Sequence, residues 1–302
     1  PVLRGILVPT LTPRTADGGV DVEALRSHAD WLIGRGVHGL YPCGSTGEGL
    51  RLTAEERRTV VKATCEAAGG RVPVLPGVYG ANLGELLSEC EHAADCGAAA
   101  VAVTAPIYFR PSPAAIEEHF RRLAEASPVG VLVYNIPAFA VEIPVDVTIR
   151  LATDCPNVVG VKDSSGDVSN MVRLCAAIKP RRPDFAILTG WDAALLPMLA
   201  AGADGGTNAT ANAAPEAVLS IFDSFNAGDH EAARDAQYLL TALFDAQIGA
   251  GEFPDGFRLA AEARGALPDS RSRLAQSSEA RVALNSMRLS LGDALRSAGV
   301  LS

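Results

Sequence analysis

The chain has 302 residues, 48% of them hydrophobic, and a formal net charge of -9. That is apolar material for one large α/β domain or two ordinary ones. Its charges are mixed along the chain, with no basic block or aromatic–basic interleaving to suggest a nucleic-acid surface. No apolar run is long enough to span a membrane, and no N-terminal charged-then-apolar segment marks secretion. The six cysteines are scattered without a CxxC pair, which reads as buried free thiols in a reducing cytoplasm. The five histidines (His28, His38, His92, His119 and His230) show no close ligand spacing, so each reads as a surface or cap residue and no metal site is expected.

Short β-rich runs then alternate with longer amphipathic ones. Gly5 to Leu11 predicts a strand and Asp21 to Arg35 a helix with Asp21 at its N-cap. Val37 to Cys43 is the second strand; its helix, Thr53 to Ala68, opens on a capping box, Thr53 with Glu56. Val72 to Val78 is the third strand, followed by a helix from Asn82 to Cys96. Ala98 to Thr104 and Val129 to Tyr134 are the fourth and fifth, with helices near Pro113 to Ala126 and Val145 to Thr153. Val158 to Lys162, Phe185 to Thr189 and Asp204 to Thr207 complete the set, each with a helix after it: Asp167 to Ile178, Ala193 to Ala201 and Pro215 to Phe225. Alternating β and α predicts a parallel sheet. Eight such units predict a (β/α)₈ barrel over residues 1–226, since no GxGxxG fingerprint of an open sheet follows the first strand. After Asn226 only helices are expected (Asp229 to Gln247, Pro254 to Arg264, Ser278 to Ala298), punctuated at Gly249-Ala250-Gly251 and Leu267-Pro268-Asp269. They form a C-terminal helical appendage, residues 227–302, packed on the barrel.

In a barrel, the C-terminal ends of strands carry function. The second strand ends in Gly44-Ser45-Thr46-Gly47-Glu48, a glycine-flanked pair of hydroxyls suited to a small carboxylate or phosphate, or simply a tight turn with local caps. The fourth ends in an apolar loop with one phenol, Pro106-Ile107-Tyr108-Phe109-Arg110-Pro111. The fifth ends in Tyr134-Asn135-Ile136-Pro137; a tyrosine inside a barrel is either an acid/base or a layer-filling ring. The seventh ends in Gly190-Trp191-Asp192, where glycine gives a ligand access to backbone.

The sixth strand, Val158-Val159-Gly160-Val161-Lys162, ends in one of only three lysines in the chain. Lys62 and Lys179 lie in charged or proline-rich stretches and read as solvated. Lys162 alone follows an apolar run. Burial would lower its pKa and free the amine as a nucleophile. The other reading is a snorkelling lysine, or one paired with Asp163 or Asp167. A lysine to condense with a ketone, a turn to hold the neighbouring carboxylate and a tyrosine to move protons form a coherent set.

Through Gly44-Ser45-Thr46-Gly47-Glu48, Tyr134-Asn135-Ile136-Pro137 and Gly160-Val161-Lys162-Asp163, the sequence resembles the dihydrodipicolinate synthase / N-acetylneuraminate lyase family of class I pyruvate aldolases. The resemblance runs from about Gly5 to the last helices. It implies that Lys162 forms an imine with pyruvate or a 2-oxo acid, that Tyr134 is the general acid/base, and that Ser45 and Thr46 bind the carboxylate and position Tyr134. It also implies that Tyr108 reaches a neighbouring subunit's site, hence a homo-oligomer, usually a tetramer. Backbone at Gly190 and Thr207 would approach the imine. No cofactor or metal is implied.

Within the family, dihydrodipicolinate synthases carry an arginine five residues after that tyrosine to clamp the acceptor's carboxylate; here the residue is Phe139. Sialic acid lyases share Gly190-x-Asp192, but carry an acid where this chain has Ala193 and a serine where it has Ala209. The expected substrate is therefore a 2-keto-3-deoxy sugar acid or another 4-hydroxy-2-oxo acid, with Asp192, Thr207 and Asn208 as polar candidates at the variable end. Dihydrodipicolinate synthesis is the alternative. A phosphate-handling barrel would use Gly205-Gly206-Thr207 but leave Lys162 and Tyr134 without a role. A non-catalytic 2-oxo acid sensor would keep all three residue types without turnover.

Overall fold

A computed structural model describes residues 3–268 and 278–301; Asp269 of the last predicted punctuation lies outside them. Among the described residues, seven parallel strands form one curled sheet: β1 (Gly5–Val8), β2 (Gly39–Leu40), β3 (Val101–Thr104), β4 (Val131–Asn135), β5 (Val158–Asp163), β6 (Ala186–Thr189) and β7 (Gly205–Thr207). Their order is β2-β1-β7-β6-β5-β4-β3.

The predicted third strand, Val72 to Val78, forms only isolated bridges, Val74 to Leu40 and Gly77 to Ala102. Pro73 and Pro76 are the reason, because neither has an N–H for a ladder. The segment nevertheless joins the two ends of the sheet. Leu75 N–H donates to Leu40 and Gly77 N–H to Pro42 on one side; on the other, Ala99 N–H donates to Val74 and Ala102 N–H to Pro76. The expected eight-unit (β/α)₈ barrel is therefore present, with one unit reduced to a proline-interrupted seam.

The helices form where their caps predict. α1 (Val22–Gly34) starts after Asp21, whose carboxylate accepts from Ala24 N–H. α2 (Ala54–Ala68) has the full Thr53–Glu56 capping box, worth about 1 kcal/mol for the cap alone. α3 (Leu83–Asp95), α4 (Pro113–Ala126), α5 (Val145–Asp154), α6 (Val168–Ile178), α7 (Leu195–Ala200) and α8 (Pro215–Asn226) pack outside the sheet. Leu7, Tyr41, Leu75, Leu132, Tyr134 and Leu188 fill the barrel interior.

α9 (His230–Ile248), α10 (Asp255–Ala263) and α11 (Ser278–Ser297) follow. Phe257, Leu259, Leu291 and Leu295 pack with Leu11 and Ala213 of the barrel's upper loops. Two histidine and lysine expectations are corrected here. His28 is fully buried rather than a surface residue, its ring nitrogens 3.1 Å from the Ala266 carbonyl and 3.0 Å from Asn212 Oδ1. Lys179 is paired with Asp204 and donates to the Phe185 carbonyl at 2.8 Å, so it ties α6 to the sheet instead of standing in solvent.

Candidate active site

β5 delivers Lys162 because its inward and outward positions alternate. Val161 enters the core between sheet and helices, while its neighbour Lys162 turns into the barrel. In register beside it stand Tyr134 on β4 and Leu188 on β6. Lys162 is 3% exposed. Its Nζ lies 4.1 Å from the centre of the Tyr134 ring and 4.4 Å from that of Tyr41.

Neither aspartate that might have paired with this lysine does so. Asp163 accepts from Asn135 Nδ2 at 2.8 Å and from Ser165 N–H at 2.9 Å, and Asp167 caps α6 through Asn170 N–H. Burial lowers the amine's pKa from 10.5 to about 7, against the field of Asp192, which raises it. A sizeable fraction of the amine is therefore unprotonated, and nucleophilic, at neutral pH. Gly190, just after β6, makes room for its stem. A Cβ there would lie 2.7 Å from Lys162 Cε and 2.0 Å from Ser164 Oγ.

Tyr134 OH and Ser45 Oγ share a hydrogen bond of 3.2 Å. Burial pushes the phenol up to about 12, opposed by hydrogen bonds to Ser45 and Ser164. Tyr134 thus rests as a protonated phenol with hydroxyls on hand to relay its proton. Thr46 is buried in the same turn.

That turn is held under strain. Cys43 and Glu48, at its two ends, both have φ of 56°, a left-handed conformation that non-glycine residues adopt at a cost of about 1–3 kcal/mol. The surroundings fix it. Glu48 is ion-paired with Arg258 of α10, whose Nη1 also donates to the Thr12 carbonyl at 3.1 Å. Thr12 Oγ1 in turn donates to the Gly47 carbonyl at 2.7 Å. Arg51 Nη1 holds the other Glu48 oxygen at 2.9 Å.

The polar residues expected at the variable end are deeply placed. Asp192 is 1% exposed, Thr207 1% and Asn208 0%. The Asp192 carboxylate accepts from the Thr210 and Ala209 backbone N–H groups at 3.0 and 3.3 Å. Burial raises its pKa against those bonds. The Thr207 hydroxyl is buried without a partner, and Asn208 Oδ1 covers Gly206. Tyr108 is not brought to the centre within the chain. It is 93% exposed, at φ 78°, with its ring against Phe109.

Sequence reasoning missed Tyr41 and Ser164. The signal for Tyr41 was the period-2 alternation of the second strand, which turns it to the same side as Gly39. Ser164 lies in the polar turn after β5, and nothing local marks it. It matters because the sharp return after β5 brings it to Tyr134.

The sequence model of the dihydrodipicolinate synthetase family matches residues 2–281. A 4-hydroxy-tetrahydrodipicolinate synthase from Methanoculleus marisnigri is 35% identical over 250 residues, 82% of this chain and 84% of that one. The fold is similar to the crystal structure of YagE, a prophage protein of the dihydrodipicolinic acid synthase family from E. coli K12, in complex with pyruvate. That likeness has a TM-score of 0.89 at 27% identity and covers 99% of this chain and all of the other. It is equally similar to a monomeric dihydrodipicolinate synthase variant (TM-score 0.89, 26% identity, 99% and 98% covered). Because the match runs through the barrel and into α11, the chain belongs to the dihydrodipicolinate synthetase family over nearly its whole length, and not merely to the barrel fold.

Proposed function

We propose that this enzyme is a class I, pyruvate-dependent carbon–carbon lyase that cleaves a 4-hydroxy-2-oxo acid, 2-keto-3-deoxy sugar acids included, with Lys162 as its Schiff-base residue. The observation that carries this is the lysine itself: buried, unpaired with either neighbouring aspartate, lowered to about 7 and held over the ring of Tyr134. The neutral amine attacks C2 of the 2-oxo acid; the carbonyl oxygen takes one proton from the amine nitrogen and a second from solvent and leaves as water. The protonated imine is then an electron sink. Tyr134 hands its own proton through Ser45 to solvent as it takes the C4 hydroxyl proton; the C3–C4 bond breaks, its electron pair moves into the enamine, and the aldehyde departs. Protonation at C3 and hydrolysis release pyruvate and the free amine. Ser45 and Thr46 hold the carboxylate, with the bare backbone at Gly190 and Thr207 beside the imine.

Tyr108 acts in a second copy of the chain, forming a homo-oligomer; its projection into solvent on a strained, apolar loop supports this role. Among the described residues no helix is long and apolar enough to cross a membrane. The six free cysteines support a place in the cytoplasm.

The test is borohydride reduction with and without pyruvate, followed by peptide mass spectrometry. A pyruvate-derived mass on the Lys162 peptide is expected; its absence at saturating pyruvate would sink the reading. Dihydrodipicolinate synthesis is the second reading, favoured by relatives such as the 35% identical synthase. It would require condensation of pyruvate with aspartate semialdehyde despite Phe139.

A further inference from the structure

A cavity of about 190 Å³ opens beside Ser45, whose hydroxyl touches that of Tyr134. Ser45 therefore stands between this cavity and Tyr134, and the cavity adjoins the proposed reacting centre. Its lining includes two charged residues, Glu48 and Arg51, but their charges are directed at protein. Glu48 is held by Arg258 and by Arg51, and Arg51 Nη1 also donates to the Phe253 carbonyl at 3.5 Å. The remaining walls are Gly49, Leu50, Tyr79, Phe139 and Phe253. Phe139 and Phe253 lie with ring centres 5.3 Å apart, and Phe253 is backed by Phe257 at 5.7 Å. The polar groups that a polyol tail would need lie elsewhere, with Asp192 committed to the Ala209 and Thr210 amides.

We propose that this cavity is the acceptor subsite and that the aldehyde it takes carries an apolar group, an aryl ring above all. The inference rests on the Schiff-base reading and narrows its substrate to a 4-hydroxy-2-oxo acid with an apolar tail. Size agrees: an apolar cavity of about 150 Å³ accommodates a benzene molecule. Aromatic walls receive a ring edge-to-face or offset at centre distances of about 4.5–7 Å. A polyol placed there would lose water for few hydrogen bonds in return.

The experiment compares pyruvate condensation with benzaldehyde and with glyceraldehyde, each as kcat/KM, on the intact chain. Borohydride trapping of pyruvate on Lys162 is run in parallel on every variant. The preference for benzaldehyde is expected to be tenfold or more, and Phe139→Asn and Phe253→Asn should each reduce that ratio about tenfold. Taking the ratio across variants cancels the intrinsic reactivity of the two aldehydes. A normal pyruvate adduct with glyceraldehyde preferred would overturn this inference and leave the Schiff-base reading standing. So would a ratio unmoved by either substitution while the oligomeric state changes, since the two rings would then belong to a subunit contact. Absence of the adduct in the unmodified protein would remove both readings together.

Discussion

The floor of the candidate site and its mouth are built on different physical terms. The floor holds Lys162, Tyr134, Tyr41 and Asp192, all nearly sealed from water and carried on or directly after strands of the barrel. Their properties come from burial: the amine is pushed down, the phenol and the carboxyl up. The mouth holds Leu50 and Phe139, which are 57% and 60% exposed and carried outside the strands. Nothing there is tuned by desolvation, so it can vary in shape and polarity without disturbing the amine. A division of this kind lets one scaffold keep a reaction while changing the molecules it accepts.

The sharpest way to break the comparison is Lys162→Met. If the floor alone carries the chemistry, activity should fall by a factor of about 10⁴ or more, the scale of losing an essential nucleophile, and pyruvate trapping should vanish. Stability should move the other way. An amine with pKa about 7 in the folded chain and 10.5 in the unfolded one takes up protons on unfolding between those values. Stability therefore rises with pH across that window, and the penalty of burying the lysine is full below pH 7 and gone above 10.5. Lys162→Met should thus stabilise by a few kcal/mol near pH 6, on the order set by a shift of this size, with the gain disappearing toward pH 10. Denaturant titrations at the two pH values check this, and an equal gain at both would show that the lysine is not held neutral.

Tyr134→Phe keeps the ring over the lysine and removes only the proton relay. Turnover should drop by about 10²–10⁴ while the pyruvate adduct still forms. Loss of the adduct as well would make Tyr134 part of imine formation and blur the line between binding and cleavage. The smallest effect on chemistry is expected where the floor meets the rest of the molecule. Arg258→Met should destabilise the protein by about 1–3 kcal/mol, because Glu48 would lose its buried partner and keep only the more exposed Arg51. Adding Glu48→Gln should recover much of that loss in a denaturation cycle, and no recovery would mean the pair is not what anchors the turn.

Much of the floor was legible in the sequence because its signals are local. An apolar β-branched run ending in lysine, a tyrosine ending another strand and a glycine-bounded hydroxyl pair each announce themselves within about ten residues. Tyr41 was readable in principle from alternation. The parts that escaped depend on long-range packing. Pro73 and Pro76 announce a broken ladder, but nothing within that segment says that it will close the barrel, and the charge pattern around Lys179 hides its partner Asp204. His28 gives no hint that it will be sealed beneath Ala266. Nothing local to Asp192 says that its carboxylate will accept from the Ala209 and Thr210 amides.

The bond from Arg258 to the turn spans 210 positions of chain to Glu48 and 246 to Thr12. Contacts so distant in sequence are the last to be rewarded as a chain collapses. During synthesis from the N-terminus, the lysine, tyrosine and serine are all in place long before the arginine that steadies their turn. The expectation is an order of assembly in which the barrel closes first and the Gly44-to-Glu48 turn sets last, so that a nascent chain holds the buried amine before the turn beside it is fixed.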